Sequence, residues 1–344
     1  MRNISELRQD VVTGDWVVVA TGRARRPDEF ARRSRPKEKP QPKRDCPFEK
    51  LMPNALVVYD KRGERFEITP KDKSYLENNW WLEVVANKYP ALGRGISAVK
   101  KRVGPYRMQD GVGFHEVVIT RDHTRSISKM TQSEVGMVIR AYRHRYLALK
   151  DQPCVEYISI FHNHGRESGA TIAHPHSQII AIPVIPPDIG RSLRGSAEFY
   201  KQNKRCVHCA ILGFELKDKK RIIYKNRNFV AFAPFVSRQA FEIRIFPRRH
   251  SPEFEKISDR EVADIAEVLQ ISLAKLDRAL GDPAYNFFVH TAPTADGRSA
   301  LHYHWHIEIL PKTGVWAGFE IGTGIEISTI APESAARFLR SIKV

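Results

Sequence analysis

The chain has 344 residues and is strongly basic, with 56 Lys and Arg against 39 Asp and Glu and a formal net charge of +17. Its hydrophobic content of 42% supports a packed core and excludes wholesale disorder. No apolar run approaches the length of a membrane span, and the opening MRNISELRQDVVTGDW lacks the apolar segment of a secretory signal. We therefore expect a soluble, cytoplasmic protein without a membrane partner.

The excess positive charge predicts an anionic partner. Nucleic acid is one such partner, but the sequence contains no helix-turn-helix, RNP-type or zinc-finger pattern. An anionic small substrate explains the charge equally well, so we do not expect nucleic acid to be the main partner.

Apolar and polar residues alternate through much of the first half and predict strands. In chain order the strand segments are DWVVVATG, ALVVYD, RFEIT, WWLEVVANKYPAL, FHEVVIT, YISIFHNHG and SQIIAIPVI. Residues 23–44 are basic and proline-rich, which predicts an extended or poorly ordered arm. Residues 131–149 carry apolar residues at helical spacing behind a threonine cap and predict an amphipathic helix.

The second half repeats this order of elements. FVAFAPFV, AFEIRIFP, AYNFFVH and HYHWHIEILP read as strands. Residues 258–280 open with Ser258 and have Glu261 three places later, a capping-box pattern that predicts the start of a long helix.

The two halves also resemble each other position by position, which indicates an internal repeat. FHEVVITRDHTRSISKMTQSEV lies over FEIRIFPRRHSPEFEKISDREV with a constant offset of 127 residues. HPHSQIIAIP lies over HYHWHIEILP with an offset of 128, which pairs His174 with His302 and His176 with His304. We predict an α+β fold of two homologous halves, each with an antiparallel sheet and one long helix, divided into residues 1–190 and 191–344.

Four residues of the second half form a pattern typical of tetrahedral zinc. Cys206 and Cys209 have C-x2-C spacing, and His250 follows in the repeat. The repeat favours His302 as the fourth ligand, whereas strand alternation puts His304 on the same face and keeps it as the alternative.

The repeat outlines an equivalent set in the first half, because Cys46 lies over Cys206. The set consists of Cys46, Glu49, His123 and His174. Glutamate replaces the second cysteine, and zinc accepts carboxylate oxygen, so the site is expected to hold zinc more weakly, to hold another metal, or to be empty.

The HPHSQ motif, with its flanking segments, resembles the galactose-1-phosphate uridylyltransferase family of the histidine-triad superfamily, including its ADP-glucose phosphorylase-like members. The resemblance covers nearly the whole chain and rests on the segments LRQDVVTGDWVVVATGRARRP, NKYPAL, RDHTRSI, FHNHGRESGATIAHPHSQI, HWHIEILP and AGFEIGTGIEIS. It implies two tandem histidine-triad-like domains, of which the first carries HPHxQ and the second a zinc site and a substrate-contacting tail.

The resemblance also implies a ping-pong nucleotidyl transfer on nucleotide sugars. His176 would attack the α-phosphorus, sugar 1-phosphate would leave, and an acceptor phosphate would displace the nucleotidyl group. Gln178 would bond the phosphoryl oxygen, and His174 would be a metal ligand and not the nucleophile. The other residues implied to contact substrate are Arg23, Arg26, Asn87, Asn163, Gly165, Gly169, Thr171, Phe319 and Glu320. The last two would contact the sugar across a homodimer interface.

The expected enzyme is a hexose-1-phosphate uridylyltransferase, and the alternative is a phosphorylase that uses inorganic phosphate as acceptor. A third hypothesis is a catalytically inactive, zinc-stabilised binding protein for nucleotides or nucleic acid. The base, the sugar and the acceptor stay open. We expect His115, His162 and His164 to be strand or loop histidines, and His304 to lack catalysis.

Overall fold

Strands from both halves form one antiparallel sheet of eleven strands. The computed structural model describes residues 5–20, 30, 41–93, 95, 97–294 and 300–344. The strands in this part of the chain are β1 Glu6–Gln9, β2 Trp16–Val19, β3 Val57–Asp60, β4 Arg65–Phe66, β5 Trp80–Ala86, β6 Lys100–Val103, β7 Tyr106–Gln109, β8 Phe114–Thr120, β9 Tyr157–His164, β10 His176–Ile182, β11 Ile222–Lys225, β12 Phe229–Phe232, β13 Ile243–Pro247, β14 Tyr285–His290, β15 His306–Pro311 and β16 Glu326–Ser328.

The order of strands in the large sheet shows the repeat directly. It runs β4-β3-β5-β8-β10-β9 through the first half and continues β14-β15-β13-β12-β11 through the second. Strands β9 and β14 pair antiparallel and join the halves. Because corresponding strands follow one another in opposite order on the two sides of this junction, the halves are related by a pseudo-two-fold axis. The predicted α+β fold with an internal repeat is confirmed.

Two long helices, one from each half, pack against each other on one face of the sheet. The helices of the described chain are α1 Lys73–Asn79, α2 Gln132–Leu149, α3 Pro187–Asn203, α4 Val207–Asp218, α5 Asp259–Leu280, α6 Gly318–Thr323 and α7 Pro332–Ser341. Capping boxes begin α2 and α5, formed by Thr131 with Glu134 and by Ser258 with Glu261. Both helices were expected within a residue of these bounds.

The remaining strands form two small sheets. β2 pairs antiparallel with β1 and parallel with β16, which brings the beginning and the end of the described chain together. β6 and β7 form an exposed hairpin. Among the residues described, no helix is both long and apolar enough to cross a membrane. The division at residue 190 stays a prediction, and α3 runs through that position.

Candidate functional site

Strand alternation separates the core residues of β10 from its chemically active ones. Ile179 and Ala181 face the helices as part of the main core, and Ser177, on the same face, accepts a hydrogen bond from the hydroxyl of Tyr142 at 2.5 Å. His176 and Gln178 therefore project from the opposite face, where both are half-buried. The structure thus brings the two expected catalytic side chains to the same face of β10, the face opposite the helices.

A backbone carbonyl two residues earlier in the chain holds the ring of His176. Its Nδ1 lies 2.8 Å from the carbonyl oxygen of His174. A carbonyl only accepts, so Nδ1 carries the proton and Nε2 keeps its lone pair. Burial lowers the pKa of His176, and the hydrogen bond to His174 opposes that shift only in part. The ring is thus a neutral imidazole with an available Nε2.

Gln178 is held by a histidine that the sequence did not single out as functional. Its Oε1 lies 2.7 Å from Nε2 of His115 on the neighbouring strand β8. Nδ2 of Asn87 lies 3.0 Å from the same ring nitrogen, and the backbone N–H of Asn87 donates to the carbonyl of His115 at 2.8 Å. The expected substrate residue Asn87 is thus brought next to Gln178.

The loop between β9 and β10 depends on two glycines for its backbone path. Gly165 and Gly169 have φ values of +77° and +91°, a left-handed region that favours glycine. A Cβ on Gly165 would also lie 2.9 Å from the side chain of Ala284. Thr171 is exposed in the same loop. The two glycines therefore allow a path that other residues would strain.

Asn163, at the end of β9, is held by a residue from the second half that sequence reasoning missed. Nδ2 of Asn286 donates to Oδ1 of Asn163 at 2.7 Å and to the carbonyl of Ser168 at 2.8 Å. Because its oxygen is occupied, Asn163 presents its amide nitrogen to the loop. No sequence signal distinguished Asn286, since its partner is 123 residues away.

The first-half metal set comes together as expected. The ligand atoms of Cys46, Glu49, His123 and His174 all lie within 4.8 Å of one another. Sγ of Cys46 is 3.5 Å from Nδ1 of His174, and Oε2 of Glu49 is 2.9 Å from Nδ1 of His123. Nε2 of His174 donates to the Thr120 carbonyl at 2.5 Å, and Nε2 of His123 to that of Gln41 at 2.6 Å. These bonds leave both Nδ1 lone pairs directed into the cluster, as metal-binding histidines require.

The second-half set contains His304 and not His302, which corrects the pairing favoured by the sequence alignment. Cys206, Cys209, His250 and His304 form the cluster. Sγ of Cys209 lies 3.3 Å from Nδ1 of His250 and 3.6 Å from Nδ1 of His304. His302 lies elsewhere, with Nε2 3.2 Å from the Leu193 carbonyl.

The correction follows from the strand register. His176 pairs with Ile119 across β8, and Ile307 pairs with Ile245 across β13, so His306 stands opposite Phe246. The β8 and β13 segments keep the offset of 127, which makes His306 the counterpart of His176. Because His302, His304 and His306 alternate, the first-half histidines can be aligned with either of two pairs. The longer loop before β15 makes the pair His304 and His306 the correct one, two residues further along the chain than the sequence alignment placed it.

Chemistry also supports the second cluster as a metal site. Hydrogen bonding from Cys209, followed by that from His250 and His304, lowers the pKa of the Cys206 thiol against the effect of burial. A thiolate is the form that binds zinc. Nε2 of His250 donates to the carbonyl of Leu301 at 2.8 Å and so directs Nδ1 into the cluster.

The second-half counterparts of the catalytic pair are closed off. His306 and Glu308 replace His176 and Gln178, and both are buried. Arg244 and Arg238 reach the carboxylate of Glu308 at 2.9 and 2.6 Å. This arrangement fills the position with a buried ion-pair network. That only the first half is catalytic stays a prediction.

The remaining expected substrate residues lie in α6 or outside the described residues. Arg23 and Arg26 belong to the second group. Phe319 and Glu320 lie in α6, where Phe319 is 48% exposed and Glu320 accepts a hydrogen bond from the backbone of Ala317 at 3.0 Å. Contact of this helix with a sugar stays a prediction.

Comparison with known proteins places the chain in one family. The family model described as galactose-1-phosphate uridyl transferase, N-terminal domain, matches residues 1–186, and a domain of unknown function (DUF4921) matches residues 111–341. ADP-glucose phosphorylase of Arabidopsis thaliana is 34% identical, over 98% of this chain and 93% of that protein. Galactose-1-phosphate uridylyltransferase of Thermotoga maritima is 29% identical, over 98% and 99%.

Solved structures agree with this result and with the expected fold of two histidine-triad-like halves. The crystal structure of the Arabidopsis thaliana ADP-glucose phosphorylase with bound ADP-glucose superposes with a TM-score of 0.77 at 30% identity, covering 99% of this chain and 100% of that one. A uridylyltransferase structure gives 0.73 at 26%, covering 98% of each. The geometry of β10, the family model and the full-length similarity lead to one conclusion: the chain belongs to the galactose-1-phosphate uridylyltransferase family.

Proposed function

We propose that the protein is a nucleotidyltransferase that acts on nucleotide sugars by a ping-pong mechanism, with His176 as the nucleophile. The observation that carries the proposal is the hydrogen bond from Nδ1 of His176 to the carbonyl of His174 at 2.8 Å. It leaves the Nε2 lone pair free to attack, and burial of the ring, which lowers its pKa, keeps it neutral without a separate base.

The transfer consists of two displacements at the α-phosphorus. Nε2 of His176 forms a bond to the α-phosphorus, and the bond from that phosphorus to the bridging oxygen breaks, so that sugar 1-phosphate leaves with the electron pair. Nδ1–H of the nucleotidyl-histidine continues to donate to the His174 carbonyl and stabilises the charge on the ring. An oxygen of the acceptor phosphate then attacks the same phosphorus and releases Nε2.

Other residues supply binding and charge stabilisation. The Gln178 amide nitrogen donates to a phosphoryl oxygen, and the backbone of the Gly165–Gly169 loop approaches the phosphates. Asn87, Asn163 and Thr171 contact the nucleotide or its phosphates, as the family resemblance implies. Arg23 and Arg26 add guanidinium contacts to phosphate.

Zinc fits the donor atoms of both clusters. When bound, it would supply a structural crosslink between the residues just before β10 or β15 and distant loops. In the first half Cys46, Glu49, His123 and His174 would hold it, and His174 would thereby fix the carbonyl that orients His176. In the second half Cys206, Cys209, His250 and His304 would hold it, with the stronger two-thiolate set.

Two acceptors are compatible with this chemistry. A hexose 1-phosphate such as galactose 1-phosphate makes the protein an uridylyltransferase, and inorganic phosphate makes it a phosphorylase. The 34% identity to a plant ADP-glucose phosphorylase favours the second possibility over the 29% identity to a uridylyltransferase. We also propose a cytoplasmic homodimer in which Phe319 and Glu320 contact the sugar bound to the other subunit.

The test uses UDP-glucose and ADP-glucose that are radiolabelled in the α-phosphate. Wild-type protein is expected to retain acid-sensitive label after removal of free nucleotide, and His176→Ala is expected to retain none. Equal label on the two proteins would contradict the mechanism. Adding galactose 1-phosphate or inorganic phosphate to labelled enzyme then identifies the acceptor by the nucleotide product released.

A further inference from the structure

His115 lies beside the candidate site, and the proposed mechanism gives it no role. It lies on β8 opposite Ile180 of β10, whereas Gln178 lies opposite Val117. The two side chains are therefore diagonal neighbours on the same face of the sheet. Nε2 of His115 reaches Oε1 of Gln178 at 2.7 Å.

The backbone determines which nitrogen of His115 carries the proton. The N–H of Ala91 donates to Nδ1 at 3.2 Å. A side-chain amide can present either a donor or an acceptor by rotating, but a backbone N–H can only donate. Nδ1 must therefore be the acceptor. In a neutral ring the proton is then on Nε2, which donates it to Gln178.

Asn87 cannot accept a hydrogen bond from Nε2 of His115, which leaves Gln178 as the acceptor. Oδ1 of Asn87 accepts from the backbone N–H of Tyr89 at 2.9 Å, which turns its amide nitrogen toward His115. An amide nitrogen has no lone pair available for acceptance, so its 3.0 Å approach to the protonated Nε2 is a contact between two donors and not a hydrogen bond. Among the described residues, Oε1 of Gln178 is therefore the group that can take the proton from Nε2 of His115.

The orientation of the Gln178 amide matters because its two ends have opposite effects on a phosphoryl group. The NH2 end donates to an anionic oxygen, whereas the carbonyl end would repel it. With Oε1 occupied by His115, the NH2 end is the one directed away from β8. Within the described chain this nitrogen forms no hydrogen bond, so it is available to substrate.

We propose that His115 is a positioning residue for nucleotidyl transfer. Its ring, protonated on Nε2, fixes the orientation of the Gln178 amide so that the NH2 group faces the phosphoryl group. The inference rests on the proposed function. The Asn87–Ala91 segment, which fixes the ring of His115, thereby connects a predicted nucleotide-binding residue to the reacting phosphorus.

The test compares His115→Gln with His115→Asn. A glutamine at this position places an amide nitrogen near the former Nε2 and can still donate to Gln178, whereas asparagine is one methylene too short. We expect His115→Asn to lower the maximal rate of nucleotidyl-enzyme formation by about 10- to 100-fold, with the half-saturating donor concentration changed by less than about threefold. His115→Gln should recover most of the rate. His144→Gln, on α2, serves as the matched control with an unchanged rate.

A double-mutant cycle separates positioning from general damage. In a Gln178→Ala background, His115→Asn is expected to cause no further loss, because the group that it orients is gone. An additional loss of the same size in that background would overturn the inference, as would equal rates for His115→Gln and His115→Asn. If wild-type protein forms no nucleotidyl-enzyme with any donor, the proposed function itself fails and the inference fails with it.

Discussion

Nδ1 of His306 lies 3.1 Å from the carbonyl oxygen of His304, and this repeats in the second half the 2.8 Å contact between His176 and His174. The duplication has therefore preserved the backbone geometry that prepares a histidine for attack. It has not preserved access, since His306 is buried and Glu308 stands where Gln178 stands. A carboxylate in that position would also repel a phosphoryl oxygen.

We accordingly expect one nucleotidyl group per chain, carried by the first half. His306→Gln should leave the amount of label per folded chain unchanged, because the side chain does not meet substrate. It should lower the free energy of unfolding by about 1–3 kcal/mol, since a buried network loses a partner. Label stoichiometry and urea denaturation measure the two effects, and a halved stoichiometry would contradict the single-site assignment.

Metal content distinguishes His304 from His302. His304→Ala should lose about one zinc per chain, because it removes one of four ligands from a cluster of two thiols and two imidazoles. His302→Ala should keep the metal, since its ring lies against the Leu193 carbonyl. Elemental analysis of the purified variants gives the answer. Zinc loss in His302→Ala with retention in His304→Ala would restore the alignment that the structure corrected.

Glu49 should weaken the first metal site relative to the second. Its carboxylate is shared between Nδ1 of His123 at 2.9 Å and Nζ of Lys43 at 3.1 Å, so the lysine competes with a metal. Glu49→Cys should bind zinc more tightly in a chelator competition, because thiolate is a softer and stronger ligand for zinc. Glu49→Gln is the matched variant and should bind more weakly. The opposite order would mean that Glu49 is not a ligand.

Glu83 should make stability fall between acid and neutral pH. It is fully buried, Oε2 accepts the Met52 N–H at 2.9 Å, and Oε1 has no partner in the described chain. Burial raises its pKa from 4.5 to about 7. The folded protein therefore keeps a proton that the unfolded chain releases, and stability present below pH 4.5 is lost as pH rises toward 7.

Comparison of wild type with Glu83→Gln isolates this effect from the other titrating groups. Glutamine carries no charge at any pH, so the stability difference between the two proteins should change by up to about 3 kcal/mol across that window. Urea denaturation at about pH 5 and pH 7.5 measures it. A difference that is the same at both values would show that Glu83 titrates normally.

Much of this protein is determined by short-range patterns in its sequence. Thr131 with Glu134 and Ser258 with Glu261 identified the starts of the two long helices, because a capping box acts within one helical turn. The HPHSQ motif placed His176 and Gln178 on one face, because side chains two residues apart in a strand project together. The cysteine and histidine spacing likewise indicated the first metal set and three residues of the second, but it favoured His302 over the observed His304.

Only the tertiary structure decided how distant residues act on these motifs. Strand pairing selected His304 over His302, since the local sequence allowed two registers and the longer loop before β15 absorbs the difference. It also brought His115 to Gln178 across 63 residues and Asn286 to Asn163 across 123. Such pairs depend on which strands become neighbours in the sheet, and that is set by the packing of the two halves around a shared core and not by spacing along the chain.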